Sequence, residues 1–426
     1  MDPIGACARL AGRRGRVLLH SARDDDGLGA WSFVAAEPRA TLIGRGRSLV
    51  RLDEHGRPSA RFTADPFAAA EQFLAEHGCT LAPHDASAPP EPRVAGYFGY
   101  DLARVVERLP GGPRLGHDTP DLWLAAYDDF ARWRGATPEH VPAWLDATAP
   151  AQPGAPPRLS ELAADDDGAH HMARVSRIQD LLAAGDVYQV NLARRLVARV
   201  EAPGDALALY AALAAVAPAP YGALIEADGV TIISGSPERF LAPVGDRIET
   251  RPIKGTRPHA PGAAAELAAS AKDAAEHLMI VDLERNDLGR IAETGSVRVD
   301  ALGYIVELPA LVHEVSRVSA RPRAGVGYAD LLRATFPGGS ITGAPKVRAM
   351  QLVDELEPAR RGPYCGALGY FGARGAFELA IAIRIGVLAG DELRIHVGGG
   401  IVADSDPAGE LAETEVKAAG WRAALA

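Results

Sequence analysis

FELAIAIRIGVLAGDELRIHVGGGIVADSDPAGELAETEVKAA, residues 377–419, sets two strand-like runs beside one helical pattern. FELAIAIRIGVL and LRIHVGGGIV are rich in the β-branched and apolar side chains that suit a pleated, half-buried surface. The residues from Pro407 to Leu425 then switch to a helical pattern. Upstream, VTIISGSPERFLA and YCGALGYFG read as further strands. Helical candidates are His171–Ala184, Ala206–Val216, Ala263–Arg285, Tyr328–Ala334 and Pro345–Glu355. Long strand runs with separated helices argue for an α+β fold rather than a regular βαβ alternation. No G-x-G-x-x-G follows a strand and opens a helix, so a dinucleotide-binding fold has no support.

Residues 1–145 alternate short apolar runs with turn signals and read as mostly β, with a helix near Pro66–His77. Residues 146–169, DATAPAQPGAPPRLSELAADDDGA, combine prolines with an acidic cluster and read as a linker or exposed loop. Residues 170–426 form the denser part. The boundary is a convenience, because the first segment is expected to lend strands to the same body. No fixed-period repeat is present, which excludes a solenoid or propeller.

Composition narrows the function. A net charge of −10 leaves no electrostatic footprint for nucleic acid or an anionic membrane. The uncharged run Ala206–Ile225 is alanine-rich and broken by Pro218 and Pro220, so it reads as a helix of a soluble protein rather than a membrane span. Cys7, Cys79 and Cys365 lie far apart with no metal-ligand spacing, as expected for a reduced, cytoplasmic protein.

Of 45 basic residues only four are lysines: Lys254, Lys272, Lys346 and Lys417. An arginine-favouring coding bias explains the scarcity. Under such a bias lysine survives where arginine cannot substitute, because lysine can lose its proton and attack an electrophile. Two acidic pairs share a spacing of three: Asp273 with Glu276, and Glu410 with Glu413, Lys417 lying one turn further on. Such residues share a helix face. Each pair alone is most often a solvated face. Four converging carboxylates would need a cation, and an all-oxygen set favours Mg²⁺. The glycine-rich stretches GGSITGAPK and GGGIV lack the ending of a nucleotide loop, but their amides could cradle a carboxylate. There is no H-E-x-x-H, no G-x-S-x-G elbow and no glutamine-hydrolysing nucleophile loop.

Taken in order, GDVYQVNLARRL (185–196), SPERFL (236–241), RPIKGTRP (251–258) and KDAAEHLMIVDLERNDLGR (272–290) resemble the chorismate-utilising enzymes. VHEVSRV, FPGGSITGAPKVRAM, RGPYCGALGY, IAIR and GGGIVADSDP extend the likeness over nearly all of residues 170–420. LLHSA, WSFVAAEP and GYFGYDLARVVE match more loosely in the N-terminal part. That family includes anthranilate synthase component I, aminodeoxychorismate synthase component I and the isochorismate and salicylate synthases.

The resemblance implies two large, mostly antiparallel sheets with helices outside and the active site in the cleft between them. It implies one Mg²⁺ bound by Glu276 and Glu413, with Asp273 and Glu410 nearby or acting through water. Thr256, Thr342, Tyr364, Arg384, Gly398, Gly399 and Lys417 then match substrate-binding positions, and His313 matches a histidine that as protonated imidazole would act as general acid. Leu19, Ser21 and Trp31 mark a candidate tryptophan site, although His20 stands where many relatives carry an acidic residue. Glu314 follows His313 where an apolar residue is commoner.

Two positions sort the members. Water-adding relatives carry a general-base lysine where this chain has Gln189. Anthranilate synthases resemble PIAGT where this chain reads Pro252-Ile-Lys-Gly-Thr256, and lysine there marks aminodeoxychorismate synthase component I. The implied reaction converts chorismate and ammonia to 4-amino-4-deoxychorismate through a covalent Lys254 intermediate. Ammonia would come from a separate glutamine amidotransferase, and the product would serve p-aminobenzoate and folate synthesis. The alternatives are anthranilate synthase component I and an aminodeoxychorismate synthase serving secondary metabolism.

Overall fold

The computed structural model describes the chain outside residues 24–26, 86–87, 112–114, 117–118 and 308–310, and outside the side chains of Pro258, Lys272 and Leu311. Two antiparallel sheets of twelve strands each form its body. In neighbour order the first runs Arg158–Leu159, Gln189–Ala202, Glu392–Ile401, Ile385–Ala389, Val230–Ser236, Tyr221–Ala227, Val17–His20, Trp31–Ala35, Ala131–Arg134 and Thr137–His140. The second runs Ile253–Pro258, Leu311–Ala320, Arg247–Arg251, Arg239–Val244, Phe377–Ile381, Ala367–Gly372, Pro92–Phe98, Leu122–Ala126, Ala40–Arg45, Ser48–Leu52 and Pro58–Thr63. The expected α+β fold is what the chain adopts.

The period-two alternation of a strand explains the layering. Val17 and Leu19 point into a core between the sheets, which also holds Phe33 and Ile225 of the first sheet and Trp123 and Leu379 of the second. Leu18 and Leu224 point the other way, onto the helices Ala206–Val216 and Pro407–Leu425 through Leu207, Leu213 and Trp421. Burying each such leucine contributes about 2 kcal/mol, and a one-residue slip of register would exchange the two sets.

Strands from residues 1–145 enter both sheets: Val17–His20 pairs with Tyr221–Ala227, and Pro92–Phe98 pairs with Ala367–Gly372. Within 146–169, Arg158–Leu159 and Ala163–Ala164 each pair with Gln189–Ala202.

Most expected helices occur, two of them, Ala206–Val216 and Pro407–Leu425, with the expected bounds. The stretch 263–285, read as one helix, is two: Ala263–Ala269 and Ala271–Gly289. The break falls at Ser270, whose hydroxyl accepts from the Asp273 N–H and caps the second helix. No helix among the described residues is long and apolar enough to cross a membrane.

Twice the chain passes from one sheet to the other at the same place. Val230–Ser236 leads into Arg239–Val244, and Phe377–Ile381 leads into Ile385–Ala389. The two crossings lie side by side: the Gly235 N–H donates to Arg384 O at 3.2 Å, the Ile381 N–H to Glu238 O at 3.0 Å, and the Ser236 hydroxyl to Ile381 O at 2.6 Å.

Candidate active site

Lys254 lies on the strand Ile253–Pro258, opposite Glu314 of Leu311–Ala320. The register shifts between Lys254 and Thr256, at Gly255. Gly255 has φ +66°, and a Cβ there would stand 2.7 Å from Leu267, so this bulge requires glycine. The Lys254 amine is half-buried, and its pKa is lowered first by burial and then by Lys417, against the opposing pull of Glu238, Glu276 and Glu413. One amine therefore feels groups from both helices that carry the acidic pairs, Ala271–Gly289 and Pro407–Leu425. This juxtaposition is the centre of the site.

The two helices offer their carboxylates differently. A Cβ on Gly399 would meet Glu410 Oε2 at 3.0 Å and Glu413 Oε1 at 3.3 Å, so the glycine backbone lies close against both acids. Glu410 accepts from the Ser405 hydroxyl at 2.5 Å. Glu413 pairs with Lys417 at 2.6 Å, and Lys417 also donates to Gly398 O at 2.6 Å. On the other helix, Asp273 pairs with Arg257. No three His, Cys, Asp or Glu side chains form a ready cage among the described residues. The donor set still suits Mg²⁺, which is commonly held by one or two carboxylates with water and substrate oxygens completing its shell.

Arg384 sits on the second sheet crossing with φ +52°. Burial holds its pKa below the usual arginine value, and among the described residues its guanidinium has no hydrogen-bond or ion-pair partner. A half-buried, unpaired cation is costly, so an anion is the natural complement of this position. Arg384 acts electrostatically on His313, which is buried. Burial first, then Arg384 and Arg23, push the His313 pKa down to about 4. The imidazole is thus neutral in the free protein at neutral pH, in contrast to the protonated form that the resemblance implied. Its Nδ1 lies 2.8 Å from the Thr256 hydroxyl, directly across the strand pair.

The remaining positions fall around these groups. The ladder joining Glu392–Ile401 to Ile385–Ala389 ends at Ile395, so beyond it Gly398 and Gly399 keep a strand partner only on the Gln189–Ala202 side. The buried Tyr364 ring stacks on His396 with centroids 5.3 Å apart. Gln189 is fully buried, and its carboxamide makes no hydrogen bond. Thr342 is also fully buried, but its hydroxyl donates to Gly338 O and Gly339 O, so it braces the glycine loop instead of presenting a donor. Among the other rare lysines, Lys346 is structural: it pairs with Asp287 and donates to Thr335 O and Pro337 O. The Lys272 side chain lies outside those described.

Sequence reasoning missed Glu238. It quoted SPERFL as a motif but gave its carboxyl no task. In the fold Glu238 stands on the first sheet crossing, 5 % exposed, and accepts from the Ser340 hydroxyl at 2.6 Å. Burial raises its pKa to about 7, against the pull of Ser340, Lys254 and the Ile253 N–H. An acidic residue between two apolar runs was the available signal, but its burial depends on the crossing.

A small pocket of about 30 Å³ is lined by Leu19, His20, Trp31, Tyr221, Tyr370 and Glu378 among others. Ser21 is turned into its own loop, its hydroxyl donating to Arg23 O at 2.8 Å. His20 Nδ1 lies 2.8 Å from the Tyr210 hydroxyl, and burial pushes its pKa down to about 4, so it is a neutral group in place of an acid.

Comparison with known proteins agrees with this fold. The chain is 40% identical to aminodeoxychorismate synthase component 1 of Klebsiella aerogenes, over 93% of this chain and 91% of that protein. It is 38% identical to an anthranilate synthase component 1 of Haloarcula marismortui, over 97% of this chain and 88% of that protein. The crystal structure of anthranilate synthase component I from Streptococcus pneumoniae superposes with a TM-score of 0.77 at 28% identity, covering 92% of each chain. Residues 29–422 match the family described as chorismate binding enzyme. The chain belongs to that family, and it is an enzyme that acts on chorismate.

Proposed function

We propose that the protein is an aminodeoxychorismate synthase component I, which replaces the ring hydroxyl at carbon 4 of chorismate with an amino group. The observation that carries this reading is Lys254: one half-buried amine, its pKa lowered, within electrostatic reach of Glu238, Glu276, Glu413 and Lys417 together. Relatives at 40% and 38% identity carry different names, so identity alone does not separate the two aminations. Lys254 separates them, because a nucleophile at that point allows a covalent route to carbon 4.

In the proposed sequence the free Lys254 amine adds at ring carbon 2 and the carbon-4 hydroxyl leaves. The proton lost by the lysine nitrogen passes to the Glu238 carboxylate, and Glu238 returns it to the departing hydroxyl, which leaves as water. Ammonia then adds at carbon 4 and expels the lysine, and the proton it sheds goes back through Glu238 as the amine is restored. Neutral His313, held by Thr256, hydrogen-bonds at the leaving hydroxyl. Arg384, Tyr364, Lys417 and the Gly398–Gly399 amides hold the substrate carboxylates. Glu276 and Glu413 would hold Mg²⁺, with Asp273 and Glu410 close by. When bound, the ion neutralises a substrate carboxylate and fixes the ring. Gln189, in place of a base, gives water no activator.

Relatives named as a component 1 support a partner chain, and we assign it the supply of ammonia by hydrolysis of glutamine. The setting is the cytoplasm and the product serves p-aminobenzoate and folate synthesis. We place the tryptophan site in the pocket at Leu19 and Trp31. Incubation with chorismate, Mg²⁺ and ammonium, followed by product identification, tests the reading. 4-Amino-4-deoxychorismate is expected, whereas anthranilate or isochorismate as the main product overturns it.

A further inference from the structure

We propose that Glu284 is a positioning residue for this reaction: it anchors the loop Gly338–Ile341 so that Ser340 stays seated on the Glu238 carboxyl. The inference rests on the reading of Glu238 as proton carrier.

Glu284 stands on the inner side of the helix Ala271–Gly289, two turns beyond Glu276, and is 2 % exposed. Its Oε1 accepts from the Gly339 N–H at 2.9 Å, while its Oε2 is buried with no hydrogen-bond partner. The loop it holds is wedged tightly. A Cβ on Gly339 would meet Leu283 at 2.9 Å and Glu284 Oε1 at 3.0 Å, and one on Gly338 would meet Ile381 at 2.7 Å. The next residue, Ser340, donates to Glu238 Oε1 at 2.6 Å. One backbone step therefore separates the Glu284 anchor from the donor that orients the proton carrier. Thr342 braces the loop from within, and Lys346 ties Pro337 at its start to Asp287.

The orphaned Oε2 indicates the form in which Glu284 works. An ionised carboxylate would strand a full charge there, whereas the neutral acid, with its proton on Oε2, leaves an uncharged hydroxyl unpaired, which costs less. The charged groups facing it agree. Burial, then Asp287 on the same helix and Glu238 on the crossing push its pKa up, Lys346 and the Gly339 N–H pull it down, and it reaches about 8. Glu284 is thus neutral at physiological pH, and its hydrogen bond to Gly339 is an anchor rather than a salt link.

The pH dependence of kcat and KM for ammonium-dependent amination tests this in Glu284→Gln, Glu284→Leu and Ser340→Ala. The carboxamide is neutral and still accepts from Gly339, so Glu284→Gln keeps kcat within about twofold and retains the acidic limb. Glu284→Leu removes the anchor: kcat falls by about tenfold or more with KM for chorismate little changed, within the usual range for a disturbed proton transfer. Its acidic limb also moves to higher pH, as in Ser340→Ala, because losing a donor to the carboxylate raises the Glu238 pKa. An unmoved limb and undiminished kcat in Glu284→Leu overturn the proposal. If the leucine variant does not fold, the glutamine variant decides alone, and a loss of about tenfold or more there overturns it. Glu238→Gln keeps the two readings apart. If it leaves the acidic limb intact, the proton-carrier reading fails. If it abolishes the limb while Glu284→Leu leaves the limb in place, only the anchor fails.

Discussion

Two groups of carboxylates, each with a member that acts on Lys254, differ in what surrounds them. Asp273, Glu276, Glu410 and Glu413 are half-buried or exposed and lie on two helices, with Lys417 paired to Glu413 and the Ser405 hydroxyl donating to Glu410. Glu238, Glu284 and Asp287 are buried, and burial is the largest cause raising the pKa of each. The chemistry of the side chain is the same. Carboxylates near water stay available to a hard cation, which keeps part of its own hydration. Carboxyls withdrawn from water hold protons more tightly, because there the charged form is the costly one, although Asp287 is also paired with Lys346. On the proposed reading the site separates a charge-binding task, at Glu276 and Glu413, from a proton-holding task, at Glu238, by depth.

The largest test of that division is at the lysine. Lys254→Ala is expected to abolish any covalent adduct seen by intact mass and to lower amination at carbon 4 by at least about 10²-fold; full output from the variant would end the covalent route. Glu238→Gln should cost about 10²-fold in kcat and flatten the limb near pH 7, measured across a pH series, and a retained limb would move the proton task elsewhere. Glu413→Gln should weaken the apparent Mg²⁺ affinity by about tenfold or more, with a smaller change in the pH profile. An unchanged Mg²⁺ titration would remove Glu413 from the cation side.

The smallest effect concerns stability. The Glu284 pKa is raised on folding, so the native state binds more protons and stability falls as pH rises from the ordinary carboxyl range through about 8. Glu284→Gln should therefore raise the melting temperature by a few degrees at about pH 9 and change it little near pH 4, where the wild-type group is protonated in both states. An equal shift at both pH values would mean that packing, not ionisation, is responsible.

Much of this was legible in advance. Alternating runs such as RVLLHSA announced strands, and Pro407–Leu425 announced a helix, because period and caps are local properties. The Ala263–Arg285 stretch was misjudged at one point. Ser270 followed by Asp273 is a local N-cap signature, and it was outweighed by the continuous alanine-rich pattern around it. Lys254 and the two acidic pairs could be singled out because lysine is scarce or the spacing is regular, whereas Arg384 was named only through the family resemblance. Glu238 and Glu284 could not, since a glutamate in SPERFL or DLERND looks like any solvated one until its burial is known.

The sequence by itself determined the periodicities, the rare lysines and the two acidic pairs, since each is written in residue type and spacing along one segment. Only the tertiary structure decided that Lys254 lies between two helices about 130 residues apart in the chain, that Arg384 is half-buried with no side-chain partner among the described residues, and that two crossings bring Glu238 against the strand of Lys254. The physical reason is desolvation. It acts on groups converging from distant segments, and no local pattern records how much water the folded chain leaves around them.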